Sequence, residues 1–507
     1  MSHPRLRLIA LALGATGTGL FADSDARARP DEQRCALPAV AAGGPSNAHS
    51  RYVEANLSPP VVQPGAKPYS LVERMRTYDV PGISVAVIHR GKLAWARGWG
   101  VRDAASCAPV TPDTAFQAAS ISKVTTAVIA LRLVEQGKLG LDQDINRFLR
   151  SWQLPRDPRL APDGVTLRQL LSHTAGLGIH GFAGYQPGAT LPTPVEILDG
   201  EPPANSGAVR STQPAGGQWT YSGGGYVLTQ LALSDVSGTP FAALARRELL
   251  GPLKMTRSAY AQPPSATILT DIASAHARGK PIPGKYHVYP ELGPAGLWTS
   301  ATDLARLLID VQASAAGRKG HRLSPAMARE MLTPIKGNWG LGPAIYSNGA
   351  RRFGHDGLNE GFQSFMVAYV ERGDGVVVLV NGGHGRRLID EVVRAIATDY
   401  GWADIAAPAV EEKMLSQAQL ARAAGTFTGG GLSVMLEARP DGLFVHTGGP
   451  GPERLAALSA TRFHTDMRGI VVQFAPDYSS FEIVEGGPQI RLVRSKSEAA
   501  SPESRRR

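Results

Sequence analysis

Cysteine is nearly absent from this sequence, since only Cys35 and Cys107 occur among its 507 residues. Neither has a histidine or a second cysteine at the spacing of a zinc ligand set, and no H-E-x-x-H motif occurs. The G-x-x-x-x-G-K phosphate loop and the G-x-S-x-G nucleophile turn are also missing. The sequence therefore predicts no metal ion and no cofactor, and it does not favour an α/β-hydrolase.

Charged residues are sparse and scattered. They make up 19% of the chain, with a formal net charge of +10 and a pI near 9.6. The basic residues cluster only at Arg505–Arg507, and no helix-turn-helix, zinc finger or aromatic-basic platform occurs. We therefore expect no nucleic-acid partner and attribute the charge to solubility.

A long apolar run is also lacking. Leu8 to Phe21 is apolar but short and interrupted by glycine and threonine, so no stable membrane span is expected. Arg5 and Arg7 precede this run, and Ala26-Arg27-Ala28 follows it as a cleavage site. This pattern predicts an export signal and a periplasmic or secreted protein starting near Arg29.

In an exported chain, Cys35 and Cys107 are compatible with one disulfide bond between the N-terminal segment and the main body. Two unpaired thiols are the alternative, because the sequence does not show whether the two residues are close enough.

The length of 507 residues suggests two or more domains. Changes in composition suggest the following division: signal peptide 1–28, flexible lead-in 29–55, main domain 56–405, linker 406–416, small β-barrel domain 417–495 and disordered tail 496–507.

The main domain is predicted to be an α+β domain. A hairpin is predicted over residues 83–88 and 93–99, helices occupy the middle, and strands are predicted over 339–346, 351–354, 362–369 and 375–381 before a last helix over 388–400. Strands at both ends of the domain predict a single antiparallel sheet flanked by helices. After Pro408, short alternating segments (432–436, 443–445, 470–474 and 481–484) separated by turns predict the barrel.

Ser120-Ile121-Ser122-Lys123 opens a run that is apolar almost all round up to Val134, which is typical of a buried helix. Residues three apart share one helix face, so Lys123 is expected beside the Ser120 hydroxyl. A serine becomes a nucleophile when an adjacent base accepts its proton, and a lysine with a lowered pKa is such a base.

Two later motifs complete a possible catalytic set. Tyr221-Ser222-Gly223 supplies a phenol that could relay a proton beside a lysine. His355-Asp356-Gly357 is followed by Leu358, and the glycine would let a substrate lie against the strand edge. The next backbone N–H could then help to form an oxyanion hole.

Together with residues 170–177, Gly296-Leu297 and Asp303, these motifs resemble the serine β-lactamase and penicillin-recognising hydrolase family, nearest to its class C β-lactamase and esterase branch. They occur in family order and span about Tyr69 to Trp402. The C-terminal part resembles the lipocalin-like barrel appended to some members. The resemblance implies a β-lactamase-like fold with an all-helical subdomain.

The resemblance also implies roles. Ser120 would be the acylated nucleophile, Lys123 would assist its deprotonation, and Tyr221 would be the general acid and base. His355 and Gly357 would flank the substrate, and the N–H groups of Ser120 and Leu358 would form the oxyanion hole.

The sequence departs from the family's β-lactamases at two positions. Gly223 replaces their usual asparagine, and His355 replaces their usual lysine. A histidine is mostly neutral at physiological pH, so a β-lactam carboxylate would lose its cation. Tyr346-Ser347-Asn348 matches the family's Tyr-x-Asn motif more closely, but it lies only nine residues before His355, and we interpret it as a strand leading to the site.

The favoured hypothesis is an exported serine hydrolase for small ester, amide or short D-amino-acid peptide substrates. A true β-lactamase or D,D-peptidase is the first alternative. A non-catalytic peptidoglycan-binding or sensor protein is the second, suggested by Gly223 and the appended barrel.

Overall fold

The computed structural model describes residues 43–59, 62, 65–158, 161–265, 268, 270–407, 411–429, 432–446, 452–465, 470–485 and 490–495. The predicted signal peptide, Cys35 and the predicted tail lie outside these residues. Cys107 is within them and is disulfide-bonded. The described residues divide into two compact units, one containing residues 43–55 and Ser70–Val393, the other containing those of Asn56–Tyr69 and those from Arg394 onward.

A seven-stranded antiparallel sheet forms the centre of the first unit. Its strands are β1 Gly82–His89, β2 Lys92–Asp103, β3 Ala108–Pro109, β8 Ala344–Tyr346, β9 Arg352–Asn359, β10 Phe362–Tyr369 and β11 Gly375–Val380. Their order across the sheet is β3-β2-β1-β11-β10-β9-β8. The first strand of the unit, β1, thus pairs with its last strand, β11. The prediction of an α+β domain with one sheet built from both ends is confirmed.

The two central strands are almost wholly apolar and buried. In β1, seven of eight residues are buried, and in β11 all six are. Their register places Ile83 opposite Val380 and Val85 opposite Val378. A strand covered on both faces needs a continuous apolar run rather than an alternating one, as both segments show.

Two-residue strand pairs accompany the helices between the two halves of the sheet: β4 Phe116–Gln117 with β7 Trp298–Thr299, and β5 His276–Ala277 with β6 Lys280–Pro281. The α-helices are α1 Ala48–Ala55, α2 Leu71–Thr77, α3 Ser122–Glu135, α4 Leu167–Leu171, α5 Pro194–Asp199, α6 Gly223–Ser237, α7 Phe241–Ala245, α8 Leu292–Ala295, α9 Ala301–Ala315, α10 Pro325–Met331 and α11 Arg386–Asp399. A π-helix, Arg246–Leu250, continues α7.

Two sequence predictions need correction here. Ser120 does not begin the α-helix but lies in a 3₁₀ turn, Ala119–Ile121, directly before α3. The strand predicted over residues 339–346 is limited to β8. Gly342, with φ +113°, packs against α3, where a β carbon would lie 2.7 Å from the β carbon of Ala127, and this turn precludes a longer strand.

The second unit contains a closed barrel of eight antiparallel strands, preceded by helix α12 Gln417–Ala423. The strands are β12 Gly425–Gly429, β13 Leu432–Arg439, β14 Gly442–His446, β15 Glu453–Ala457, β16 Arg462–Thr465, β17 Val471–Phe474, β18 Ser480–Glu485 and β19 Arg491–Arg494. Pairing of β12 with β19 closes it. Aromatic side chains, among them Phe427, Phe474 and Phe481, fill its core. The predicted barrel is confirmed.

No described helix combines the length and the apolar character needed to cross a membrane. No group of three or more histidine, cysteine or acidic side chains in this part of the chain is arranged to bind a metal ion.

Candidate active site

Ser120 lies on a strained turn that is fixed from both sides. The preceding residue, Ala119, has φ +49°, a left-handed conformation that costs energy for any residue with a β carbon. The Ala118 N–H donates to the Leu297 carbonyl at 2.9 Å. Ser122 Oγ donates to the Ala119 carbonyl and accepts the Leu297 N–H at 3.1 Å. The turn therefore presents a partly exposed Ser120 in a defined position.

Lys123 lies one turn later and is only 2% exposed. Its Nζ is 3.1 Å from Ser120 Oγ and donates to the Pro294 carbonyl at 3.0 Å. Burial lowers the pKa of Lys123 to about 7, opposed in part by the negative charge of Asp356. A substantial fraction of this lysine is thus a neutral amine at neutral pH, able to accept the serine proton.

Tyr221 lies on the other side of this pair. Its phenol hydrogen-bonds to the Ser120 side chain, and Lys123 Nζ lies 4.8 Å from the centre of its ring. Burial raises the pKa of the Tyr221 phenol, and the hydrogen bond to Ser120 only partly opposes this. Tyr221 is therefore a protonated phenol at neutral pH, suited to donate a proton.

Strand β9 passes directly behind the Ser120 turn. A β carbon at Gly357 would lie 2.4 Å from the Ala118 carbonyl oxygen and 2.3 Å from Ser364 Oγ. Only glycine permits this approach. Because β8 pairs with β9 only at residues 352–354, the segment from His355 to Asn359 forms a sheet edge beside the nucleophile.

His355 is buried on this edge. Its Nδ1 contacts the Asp356 carbonyl oxygen, and its Nε2 has no hydrogen-bond partner among the described residues. Burial lowers the pKa of His355, and the nearby Lys123 lowers it further, so the imidazole is neutral at physiological pH. His355 therefore does not supply the cation that a lysine would supply here.

The exposed residues of the same strand are acidic and apolar. Asp356 is exposed and pairs with Arg386 at 3.1 Å, and Arg386 also pairs with Asp390 at 3.0 Å. Leu358 is 65% exposed. The edge thus presents the Asp356 carboxylate and the Leu358 side chain. The neighbouring Arg386 guanidinium is already paired with two carboxylates.

Gly223 contacts the segment 178–182. Its N–H donates to the His180 carbonyl at 3.1 Å, and a β carbon at this position would lie 3.0 Å from that oxygen and 2.9 Å from the Phe182 ring. The space that an asparagine would need is occupied by these two residues. This explains the glycine in physical terms.

Aromatic rings surround Tyr221. The ring centres of His173 and His180 lie 4.3 and 4.8 Å from that of Tyr221, and Trp339 lies at 5.9 Å. Trp219, 38% exposed, packs on Trp339 at 5.3 Å. The wall beside the nucleophile is therefore apolar and aromatic.

Tyr346, the competing tyrosine, lies on β8 opposite Arg352 of β9. Its ring contacts the Arg352 guanidinium at 5.8 Å. Among the described contacts, Lys123 Nζ lies over the rings of Tyr221 and Tyr226. The structure thus places Tyr221, not Tyr346, beside Ser120 and Lys123.

Sequence reasoning missed three supporting residues. Ser122 fixes the nucleophile turn, as described above. Asn359 Nδ2 donates to Gln117 Oε1 at 2.8 Å and so connects β9 to the segment before Ser120. His173 contacts the Tyr221 ring. Ser122 and His173 lie within quoted motifs, 120–123 and 170–177, whereas Asn359 lies outside them.

The family model for β-lactamase matches residues 70–399, which is more than half of the chain. The chain belongs to the β-lactamase family. Within it, the chain is 27% identical over 375 residues to penicillin-binding protein 4 of Amycolatopsis lactamdurans, covering 69% of this chain and 94% of that protein. It is 36% identical over 110 residues to esterase EstB of Burkholderia gladioli, covering 21% and 27% of the two chains.

Among solved structures, the octameric penicillin-binding protein homologue from Pyrococcus abyssi superposes with a TM-score of 0.57. It is 23% identical, with 83% of this chain and 98% of that chain covered. This similarity supports the fold. Several curated relatives from Staphylococcus aureus match over only 60% of their own length.

Proposed function

We propose that this protein is a serine hydrolase that cleaves ester or amide bonds through an acyl-enzyme on Ser120. The observation that carries the proposal is the buried Lys123 Nζ, 3.1 Å from Ser120 Oγ, whose pKa burial lowers to about 7. A structural lysine gains little from such burial, whereas a base acting near neutral pH needs it.

Acylation starts when neutral Lys123 accepts the Ser120 proton as Oγ attacks the substrate carbonyl. The Lys123–Pro294 hydrogen bond keeps the amine in place during this transfer. The Tyr221 phenol, beside both groups, then donates a proton to the leaving alcohol or amine. The Lys123 ammonium then passes a proton to the Tyr221 phenolate, which restores the neutral amine and the phenol. In deacylation Lys123, with the Tyr221 hydroxyl as relay, accepts a proton from the attacking water and returns it to Ser120 Oγ as the acyl bond breaks.

The backbone N–H groups of Ser120 and Leu358 are our candidates for the oxyanion hole. Close contact between β9 and the turn before Ser120, seen at Gly357 and Ala118, supports this pairing. Two such donors stabilise the negative charge that develops on the carbonyl oxygen.

The charges around the site favour substrates without a carboxylate. His355 is neutral, Asp356 is an exposed anion, and Arg386 is paired with Asp356 and Asp390. An ester with an uncharged acyl group would contact the aromatic wall and Leu358 without repulsion. β-Lactams and D-alanyl peptides, which carry a carboxylate, would be poorer substrates.

The named relatives fit this range of chemistry. One is an esterase and one a penicillin-binding protein. We favour the esterase activity because of Gly223, His355 and Asp356. Small uncharged amides are further candidate substrates, and short D-amino-acid peptides, which end in a carboxylate, are expected to be turned over more slowly.

A matched pair of esters tests the proposal. p-Nitrophenyl butyrate and p-nitrophenyl hemisuccinate have acyl groups of similar length, and only the second carries a carboxylate. We expect hydrolysis of the butyrate, a kcat/KM for it at least about tenfold higher than for the hemisuccinate, and no turnover by Ser120→Ala. Equal activity of wild type and Ser120→Ala would overturn the assignment of the nucleophile.

We further propose export to the periplasm or the medium. The basic, apolar and small-residue pattern of residues 1–28 supports this location, as does the disulfide-bonded state of Cys107. Mass spectrometry of the mature protein should find an N-terminus near Arg29. An intact N-terminus in the cell lysate would contradict export.

A further inference from the structure

We propose that His173 is a positioning residue for Tyr221, acting through the backbone on both sides of the phenol and through its ring. The inference rests on the proposed function, since it concerns the residue assigned as general acid. His173 belongs to the loop that follows α4, far in sequence from Tyr221.

Three contacts connect the two residues. The His173 carbonyl accepts the Thr220 N–H at 2.8 Å. His173 Nδ1 accepts the Ser222 N–H at 3.1 Å. The imidazole ring lies 4.3 Å from the Tyr221 ring, with an angle of 31° between the planes. The residues immediately before and after Tyr221 and its own ring are thus all fixed by one histidine.

The hydrogen bond to Ser222 also determines the state of the imidazole. Because Nδ1 accepts a backbone N–H, it carries no proton, and the neutral ring has its hydrogen on Nε2. Burial lowers the pKa of His173, and the positive charge of Lys123 lowers it further. The ring therefore remains neutral, and the Ser222 N–H keeps its acceptor.

The backbone of His173 is adapted to this role. Its φ is +60°, a left-handed conformation that directs the side chain and the carbonyl toward the same neighbouring segment. His173 Nε2 has no hydrogen-bond partner among the described residues, although the side chain is buried. A buried residue with both strain and an unpaired polar atom is typical of a functional position.

His276 offers a contrast within the same unit. It is also buried, but its Nε2 accepts the Ala104 N–H at 3.1 Å, and its Nδ1 contacts the Asn381 carbonyl oxygen at 3.0 Å. Both ring nitrogens are therefore satisfied, and its described partners do not include the residues around Tyr221. His276→Asn is a matched control for loss of a buried imidazole.

The test is a pair of variants in two backgrounds. Asn Oδ1 occupies nearly the place of His Nδ1, and asparagine tolerates a left-handed backbone, so His173→Asn keeps the acceptor and loses the ring. Glycine also adopts the left-handed backbone, so His173→Gly loses both the acceptor and the ring without backbone strain. Each is combined with Tyr221→Phe, and single-turnover acylation by p-nitrophenyl butyrate is measured with excess enzyme.

We expect His173→Gly to lower the acylation rate about a hundredfold and His173→Asn about fivefold, with the substrate concentration at half-maximal rate unchanged. In the Tyr221→Phe background, each substitution should have an effect of at most about twofold, because the group that His173 positions is already gone. His276→Asn should leave the rate within about twofold in both backgrounds.

Effects that multiply in the Tyr221→Phe background would overturn the positioning role. Equal losses of acylation rate in the asparagine and glycine variants would show that the Nδ1 acceptor does not contribute to positioning. If His173→Gly does not fold, the asparagine variant completes the cycle alone. A wild-type protein that is neither acylated nor active would instead contradict the proposed function, so the two failures are distinguishable.

Discussion

Gly357 and Ala118 approach each other so closely that a β carbon on Gly357 would lie 2.4 Å from the Ala118 carbonyl oxygen. Ala118 immediately precedes the strained Ala119, and Ser120 follows. The position of the nucleophile relative to strand β9 is thus determined by the absence of one side chain.

Gly357→Ala should therefore both destabilise the protein and reduce its activity. We expect a loss of about 1–3 kcal/mol in the free energy of unfolding from overpacking. The acylation rate should fall about a hundredfold, because the Ser120 turn has to shift. Gly383→Ala is the control, since its β carbon would meet no atom closer than 3.7 Å. Denaturant unfolding and ester kinetics of both variants measure the two effects, and an active, stable Gly357→Ala would contradict the packing account.

The lowered pKa of Lys123 predicts how activity depends on pH. Acylation needs the neutral amine, so kcat/KM should rise with pH through about 7 and then level off. The released alcohol is quantified by chromatography, which does not itself depend on pH. A rate that is constant between pH 5.5 and 8 would exclude Lys123 as the base.

Lys123→Met separates the catalytic from the structural role of this side chain. The variant should lose activity, yet its melting temperature at pH 6 should rise, because a buried ammonium is costly below the folded-state pKa. The gain should shrink as the pH increases toward 9: the unfolded lysine still binds a proton there and the folded one does not, so wild-type stability increases with pH in this range. A lower melting temperature at pH 6 would show that the lysine stabilises the fold.

Gly223→Asn tests why the family's usual asparagine is absent. The new side chain would displace Phe182 or the His180 carbonyl, so we expect the single variant to lose activity. The double variant Gly223→Asn, Phe182→Ala should regain part of the lost activity, because the second substitution removes the Phe182 ring, the nearer of the two clashing groups. Phe182→Ala alone is the control. No recovery in the double variant would point to the His180 carbonyl as the dominant clash.

His355→Lys should change substrate preference. A lysine there would place a cation beside Asp356 and raise kcat/KM for the hemisuccinate relative to the butyrate, by about fivefold. His355→Gln, which is neutral, should leave the ratio unchanged. If the lysine and glutamine variants show the same ratio, the missing cation is not the source of the discrimination.

Much of the fold could be predicted from the sequence, because strong local patterns were present. The apolar runs of β1 and β11 and the placement of strands at both ends of the domain predicted the sheet. In the barrel, β12, β15, β16 and β19 were missed, because each contains at most two valine, isoleucine, leucine or phenylalanine residues, whereas β14 and β17, which are equally short but were predicted, contain three.

The site was predictable in part. Ser120, Lys123 and Tyr221 were found through motif order, and the structure places them together. The role of His173 was not accessible, because it depends on a left-handed backbone and on hydrogen bonds to residues nearly fifty positions later. The contact of Phe182 with Gly223 likewise arises from an irregular loop that has no sequence periodicity.

Intact-protein mass spectrometry after treatment with a fluorophosphonate tests the central claim most directly. We predict a single adduct on the wild-type protein, located on Ser120 by peptide mapping, and no adduct on Ser120→Ala under the same conditions. An adduct on another residue, or equal labelling of the two proteins, would contradict the assignment of Ser120 as the nucleophile.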